Sequence, residues 1–281
     1  MHALELEWIR LLQGSPLAAW RPFWVFLNYF DTPYFYSPLF FFIWTALSRK
    51  KACHFSCAFI AASLLSTLVK LASNMERPLA VDPSVGWLPQ AGFSFPSGAA
   101  THYMIIFLMT LSLTKNRFFS VLTGILCLLI SFSRVMLGAH YVTDVLGGWL
   151  LGFCVFLGFL FYKRVRHELA TFYLRLAFYL SILGLLLFGS DKAMFNVGLL
   201  SGILFGSFLG EKKKETVTTT SLSVRGLYFL YLFLSAGLIG LLLTGFLPPG
   251  RFPVFIVYAV VGFWASFGAE SLFLQTLPKK K

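Results

Sequence analysis

The chain has 281 residues, of which 58% are hydrophobic, 18% are aromatic and only 12% are charged. A soluble domain carries roughly twice that charged fraction, so the composition excludes an ordinary soluble enzyme and is typical of a helical protein that crosses a membrane several times. The formal net charge of +12 comes from short basic clusters beside apolar segments. That distribution is typical of membrane topology and argues against a nucleic-acid partner.

The first predicted element is a short amphipathic helix over residues 3–13 that lies at the membrane interface. Its apolar side chains share one face: Leu4, Trp8, Leu11 and Leu12. Gly14 ends this helix, and Ser15 followed by Pro16 is the pattern of an N-cap with proline at the first helical position. We therefore predict an interfacial segment over residues 1–20.

Nine apolar segments then follow, each near the roughly 17–25 residues that a helix needs to cross a bilayer. They are residues 22–47, 53–72, 99–114, 118–137, 141–162, 170–188, 193–209, 227–247 and 252–274. The predicted fold is all-α, a transmembrane bundle of about nine spans. We divide it into a core over residues 21–165 and additional C-terminal helices over 166–281, which contain a polar loop at 211–226.

The basic clusters predict the orientation of these spans. If residues 49–51 are cytoplasmic, strict alternation places four further clusters on the same side, in agreement with the positive-inside rule. These clusters lie at residues 115–117, 163–166, 212–214 and 279–281. The sequence thus predicts an integral protein of a bacterial inner membrane or an endomembrane.

Three short polar blocks interrupt the apolar sequence, and alternation places all of them on the non-cytoplasmic side. They are Lys70 with Arg77-Pro78, then Pro96-Ser97-Gly98, then Ser133-Arg134 with His140 and Asp144. Charged side chains at the edges of membrane segments are costly and are therefore candidates for function. Two other carboxylates near predicted span ends, Asp31 and Glu270, are interpreted as ordinary interfacial residues.

The third block predicts a nucleophile. His140 and Asp144 are four residues apart and are expected on one face of a helix. Asp144 can accept the Nδ1 hydrogen of His140, which leaves Nε2 unprotonated and able to attack an electrophile.

The other polar residues predict an anion site. Arg77 and Arg134 can bind phosphate oxygens through two hydrogen bonds each, and Lys70 adds a third positive charge. Ser97 and Gly98 begin a helix, so free backbone amides and the helix dipole are directed at the anion. Gly98 also permits a close approach of the backbone.

In order and spacing, these blocks resemble the type 2 phosphatidic acid phosphatase superfamily over residues 53–162. The resemblance implies a membrane phosphatase acting on a lipid phosphate or diphosphate without a metal ion or other cofactor. It also implies that His140 attacks phosphorus to form a phosphohistidine, that Asp144 orients His140, and that the remaining residues hold the phosphate: Lys70, Arg77, Ser97, Gly98 and Arg134. The expected partners are a membrane lipid phosphate and the bilayer.

One position departs from the family pattern, in which the second block ends in a histidine that protonates the leaving group. Here that position is Ala99, and His102 follows three residues later. Three interpretations stay open: His102 replaces the missing acid, the substrate is a diphosphate whose leaving group needs no acid, or the protein binds a lipid phosphate with little or no turnover. Transfer of the phosphoryl group to a second acceptor is a further alternative.

Overall fold

The computed structural model describes residues 2–164, 198–199, 201–203, 205–206, 221–248 and 250–276. Every regular element in these residues is helical, which confirms the predicted all-α class. The α-helices are α1 (His2–Gln13), α2 (Arg21–Leu27), α3 (Pro33–Ala46), α4 (Arg49–Ser73), α5 (Pro78–Val81), α6 (Gly98–Thr114), α7 (Arg117–Met136), α8 (Val142–Arg164), α9 (Leu222–Phe246), α10 (Arg251–Phe263) and α11 (Ala269–Thr276). Shorter 3-10 turns lie at Pro16–Trp20, Asn28–Asp31 and Pro83–Val85.

Five helical stretches of the described residues are long and apolar enough to cross a membrane. They are Arg49–Val81, Arg117–Met136, Val142–Arg164, Leu222–Phe246 and Phe252–Thr276, and α6 is a shorter apolar helix. Each of these six corresponds to a predicted span. The predicted span at 170–188, most of the predicted span at 193–209 and residues 211–220 of the predicted loop at 211–226 lie outside the described residues. The count of nine spans therefore stays a prediction.

The predicted span at 22–47 is not one continuous helix, and this prediction was wrong. The structure divides it into α2, a 3-10 turn over Asn28–Asp31, and α3. Thr32 is extended, with φ −115° and ψ 156°, because the residue before a proline avoids the helical region. This interruption places the polar residues Asn28, Asp31 and Thr32 between α2 and α3.

The chain forms two compact units, Met1–Tyr36 with Ala61–Phe161, and Ser37–Ile60 with Tyr162–Lys281. In the first unit, α1 has apolar side chains on two faces: Leu6 and Ile9 are buried, whereas Leu4 and Trp8 are exposed. The helix predicted over residues 3–13 is confirmed by α1. Its place at the membrane interface stays a prediction. The division of the chain into an interfacial segment, a core and C-terminal helices at residues 20 and 165 also stays a prediction.

In the second unit, Glu270 is buried and pairs with Arg49. The interpretation of Glu270 as an ordinary interfacial residue did not anticipate this pair. Nearby, the indole nitrogen of Trp264 donates to Ser235 Oγ at 2.8 Å. Polar side chains of this unit thus satisfy one another inside an apolar environment, where unpaired groups are costly.

The turn between α7 and α8 is packed between two apolar clusters of the first unit. One cluster contains Leu6, Ile9, Val85, Ala100, Val135, Tyr141 and Val145, and the other contains Trp24, Leu27, Met136, Leu137 and Ala139. Within the turn, Gly138 has φ +63°, and a Cβ atom there would lie 2.0 Å from the Val85 carbonyl oxygen. Only glycine fits this position, and the turn that follows carries His140.

Candidate active site

His140 lies in the turn before α8, whereas Asp144 is the third residue of that helix. The prediction that both lie on one face of a helix was therefore wrong, because α7 ends at Met136 and Gly138 redirects the chain. The two side chains still meet, with His140 Nδ1 3.3 Å from Asp144 Oδ2. The same carboxylate oxygen accepts the backbone hydrogen of Tyr141 at 2.8 Å, which holds the first turn of α8 in place.

The contacts of the His140 ring indicate which nitrogen carries the proton. Arg77 Nη1 lies 3.1 Å from Nε2 of His140, and a guanidinium group can only donate. Nε2 must therefore accept, so it carries a lone pair, which is directed at Arg77, while Nδ1 carries the hydrogen that faces Asp144. Ser94 Oγ lies 3.5 Å from Nδ1 and donates to Asp144 Oδ2.

The surroundings of His140 keep its ring neutral. His140 lies between the two spanning stretches that end at Met136 and begin at Val142, and burial lowers its pKa from 6.5 to about 3, with Arg77 and Lys70 acting in the same direction against Asp144. Since the unfolded chain binds this proton near pH 6.5, acidification from pH 6.5 towards 3 favours the unfolded state. Within that window and above it, the folded protein holds a neutral imidazole.

Two of the predicted cations contact the loop that precedes α6. Lys70 Nζ donates to the carbonyl oxygens of Phe93 and Ser94 at 3.0 and 2.9 Å. Arg77 donates through Nε to Gly92 at 2.8 Å and through Nη1 to Ala139 at 2.9 Å. The two side chains therefore order the loop around His140 and also place positive charge beside it.

The N-terminus of α6 lies directly against the histidine–aspartate pair. A helix begins here, as predicted: Ser97 is the N-cap of α6, and its backbone N–H donates to the carbonyl oxygen of Asp144 at 2.8 Å. A Cβ atom at Gly98 would lie 4.0 Å from Lys70 Cε, and one at Gly148 would lie 2.6 Å from the Ser97 carbonyl oxygen. Small residues thus bring α4, α6 and α8 together at the site.

Arg134 holds the turn with its backbone and carries free donors on its side chain. Its carbonyl oxygen accepts from the backbone nitrogen of His140 at 3.2 Å, and its Nη1 donates to Asn28 Oδ1 at 2.6 Å. Among the described residues, Nε and Nη2 of Arg134 are buried and have no hydrogen-bond partner. Buried donors of this kind suit an anion with several oxygens.

His102 lies in a second polar cluster, which adjoins Arg134. Its Nδ1 is 3.3 Å from Tyr36 Oη and 3.5 Å from Asp31 Oδ1. Asp31 Oδ2 is in turn 3.9 Å from Arg134 Nη1. The structure therefore brings together all the residues that the sequence proposed, with His102 connected to the rest through Asp31. The interpretation of Asp31 as an ordinary interfacial carboxylate did not anticipate these contacts, because the segment reads as part of an apolar span.

Glu5 is a further residue to which the sequence assigned no role. It is 2% exposed and accepts from the backbone nitrogen and the hydroxyl of Thr143 at 2.9 and 3.1 Å. An acidic group at a helix N-terminus satisfies an unpaired amide and interacts favourably with the helix dipole. Glu5 thus connects α1 to the turn of α8 that carries Asp144.

Removal of this cap has an expected cost. We expect Glu5→Ala to lower the free energy of unfolding by about 1–2 kcal/mol, because the Thr143 amide loses its acceptor inside the protein. Glu5→Gln, which keeps one acceptor oxygen, should lose less. Thermal unfolding in detergent measures both, with Glu7→Ala on the exposed face of α1 as the matched control. Equal midpoints for the Glu5→Ala and Glu7→Ala variants would contradict the capping role.

Arg77 contacts Nε2 of His140, and Arg134 carries buried donors without a partner among the described residues. Such an arrangement at one end of apolar helices is typical of a membrane protein that binds a phosphate-like anion. A sequence model of the PAP2 superfamily matches residues 51–169. The chain is also 31% identical over 158 residues to an undecaprenyl-diphosphatase of Sulfolobus acidocaldarius, a match that covers 53% of this chain and 73% of that protein. The chain belongs to the PAP2 superfamily.

Two further relatives match over shorter segments. Phosphatidylglycerophosphatase B of Bacillus subtilis is 36% identical over 77 residues, which cover 24% of this chain and 37% of that protein. A lipid A 4'-phosphatase of Porphyromonas gingivalis is 31% identical over 63 residues, or 22% of this chain and 27% of that protein. No solved structure gives a significant match.

Proposed function

We propose that the chain is a membrane phosphatase that hydrolyses a lipid phosphate or lipid diphosphate through a phosphohistidine at His140. The observation that carries this proposal is the contact of Arg77 Nη1 with His140 Nε2 at 3.1 Å, opposite the Nδ1 contact with Asp144 at 3.3 Å. This arrangement suits a nucleophile whose lone pair faces the group that would bind phosphate. The relatives named above, each of which is named for a lipid phosphate or diphosphate, support a substrate of that class.

In the proposed reaction, Nε2 of His140 attacks phosphorus and the leaving oxygen departs on the opposite side. Arg77, Arg134, Lys70, the Ser97 hydroxyl and the Gly98 amide stabilise the negative charge on the phosphoryl oxygens, which is the main catalytic requirement of phosphoryl transfer. Water then cleaves the phosphohistidine. Because these side chains supply the positive charge, we propose that the reaction proceeds without a divalent metal ion.

The test is phosphate release by the purified protein in lipid nanodiscs, with a chelator present. The panel contains a polyprenyl diphosphate, a polyprenyl monophosphate, phosphatidic acid and phosphatidylglycerophosphate. We expect release from at least one of them in water alone. Release that requires an added alcohol or sugar acceptor would indicate a phosphotransferase, and binding without release would indicate a lipid-phosphate binding protein.

We further propose that the site faces the non-cytoplasmic side. Four helices of the core carry site residues at one end and basic residues at the other. The pairs are Lys70 and Arg49 on α4, Ser97 and Lys115 as the N-cap and C-cap of α6, Arg134 and Arg117 on α7, and Asp144 and Lys163 on α8. Because helix ends with basic residues usually face the cytoplasm, the opposite ends, which carry the site residues, are expected on the non-cytoplasmic side.

Thiol labelling in intact cells tests the orientation. In a background with the four native cysteines replaced by serine, a membrane-impermeant reagent should label Pro83→Cys and leave Lys50→Cys unlabelled. Both positions are exposed in the structure, so access depends on the side of the membrane. Permeabilised cells, in which both variants should react, provide the control. The reverse pattern would invert the proposed topology.

A further inference from the structure

Two side chains contact the Nδ1 edge of His102. Tyr36 Oη donates to Asp31 Oδ1 at 2.7 Å, and both groups lie within 3.5 Å of His102 Nδ1. The rings of Tyr36 and His102 meet edge to face, with centroids 5.5 Å apart. Two partners and a ring contact therefore fix the orientation of the imidazole.

This cluster is costly in an apolar helical protein. The side chains of His102 and Asp31 are 7% and 22% exposed, and they lie in segments where apolar residues would pack without any polar partner. Burial of a carboxylate and an imidazole is unfavourable unless they are paired, and such groups in membrane proteins commonly mark a functional site. A role in packing alone does not explain the choice of these residues.

The cluster also adjoins the proposed phosphate site. Asp31 Oδ2 lies 3.9 Å from Arg134 Nη1, and the buried Nε and Nη2 donors of Arg134 have no partner among the described residues. His140, the proposed nucleophile, contacts Arg77. An anion bound by both guanidinium groups would therefore have the nucleophile on the Arg77 side and the His102 cluster on the Arg134 side. In-line attack requires the leaving group to depart away from the nucleophile.

We propose that Asp31, together with Tyr36, is a positioning residue that holds His102 as the proton donor to the leaving group. This inference rests on the proposed function and concerns the same site. Ala99 is 2% exposed and has no proton to donate, whereas His102 follows one helical turn later on the same side of α6. The proton donor thus lies at His102 in place of position 99, and Asp31 and Tyr36, which lie outside the second block, orient it.

The proton balance of the reaction is complete with these groups. In the first step the lone pair of His140 Nε2 forms the N–P bond, the P–O bond to the leaving group breaks, and His102 Nε2–H protonates the leaving oxygen. In the second step the neutral His102 takes a proton from water, the hydroxide oxygen bonds to phosphorus, and the N–P bond breaks. Asp31 stabilises the positive charge that His102 carries before the first step and regains after the second.

The dependence of rate on the leaving group tests this proposal. An alkyl monoester releases an alkoxide that needs a proton, whereas a diphosphate releases a phosphate, whose pKa is about 6 and which needs none. We expect His102→Asn to lower the rate about 10²–10⁴-fold on a polyprenyl monophosphate and less than about tenfold on the diphosphate. Asp31→Asn should show the same selectivity with a smaller loss, and Tyr36→Phe a smaller loss again. The double variant of Asp31 and His102 should be no slower than His102→Asn.

The pH profile gives a readout that a packing defect would not change. Asp31 from the 3-10 turn and Tyr36 from α3 contact His102. Around these two, Tyr103 of α6 contacts Tyr36, and Arg134 of α7 lies near Asp31. With Asp31→Asn the alkaline limb of monoester hydrolysis should move to lower pH, because the imidazolium loses its negative neighbour. Asp82→Asn and His54→Asn are the matched controls and should leave the profile unchanged.

Equal losses on both substrates, or an unchanged alkaline limb with Asp31→Asn, would overturn the proposal and assign the cluster to packing. The proposal would also be overturned if His102→Asn left the rate of monoester hydrolysis unchanged and Ala99→His raised it selectively. The native site would then use no acid. Recovery of monoester hydrolysis when Ala99→His is added to His102→Asn would support it. A wild-type protein that releases phosphate from none of the four panel lipids overturns the proposed function and this inference together. Diphosphate hydrolysis that is retained while the expected selectivity fails overturns this inference alone.

Discussion

Replacement of the proposed nucleophile, His140→Gln, is expected to lower phosphate release about 10⁴-fold or more and to abolish the phosphorylated protein. Glutamine approximates the volume of histidine but has no nucleophilic nitrogen, so the N–P bond cannot form. The measurement is twofold: steady-state phosphate release, and an acid-labile, alkali-stable phosphoprotein trapped by rapid quenching with labelled substrate. His54→Gln is the matched control, since this second histidine lies on α4 in the other compact unit.

The variant Asp144→Asn keeps the nucleophile His140 but removes the carboxylate that orients its ring. An amide donates where the carboxylate accepts, so the ring of His140 would be driven towards the tautomer that protonates Nε2. A loss of about 10⁴-fold is the scale of such a change in a histidine–aspartate pair. Asp144 Oδ2 also accepts the Tyr141 amide and the Ser94 hydroxyl, so the variant should in addition unfold more easily. If the His140→Gln variant still forms a phosphoprotein, His140 is not the nucleophile.

A second large effect is expected at Gly138, where Gly138→Ala should lower the free energy of unfolding by about 3 kcal/mol or more. The residue has φ +63°, a region that alanine avoids, and the added Cβ would meet the Val85 carbonyl oxygen at 2.0 Å. The turn would have to move, and with it His140. Thermal unfolding in detergent measures the loss of stability, and phosphate release measures the displacement of the site.

Two further variants separate the causes of this effect. Gly138→Asn tolerates the positive φ but keeps the clash, so it should recover only a small part of the loss. Gly158→Ala in α8 is the matched control: nothing lies within 4 Å of a Cβ there, and alanine in a helix should be neutral or stabilising by about 0.5–1 kcal/mol. Equal stability of the Gly138→Ala and Gly158→Ala variants would show that the turn adapts freely.

Much of the fold was accessible from sequence because the bilayer sets the length of each span. The ends of α6, α7 and α8 lie within two residues of the predicted 99–114, 118–137 and 141–162. The prediction of a span at 22–47 was wrong because the segment is apolar as a whole, and the few polar residues before Pro33 interrupt the helix. The start of α6 at Gly98 was predicted correctly, since the signal for a helix start lies in neighbouring residues.

By itself, the sequence determined the all-α membrane class, the family and the residue types of the candidate site, because these follow from composition and from spacing within short blocks. Only the tertiary structure decided which side chains meet across those blocks. It placed Arg77 on the free nitrogen of His140, Glu5 on the N-terminus of α8, and Asp31 with Tyr36 around His102. These contacts join residues that are 63 to 138 positions apart. They depend on how the helices pack, and no local preference in the chain encodes that packing.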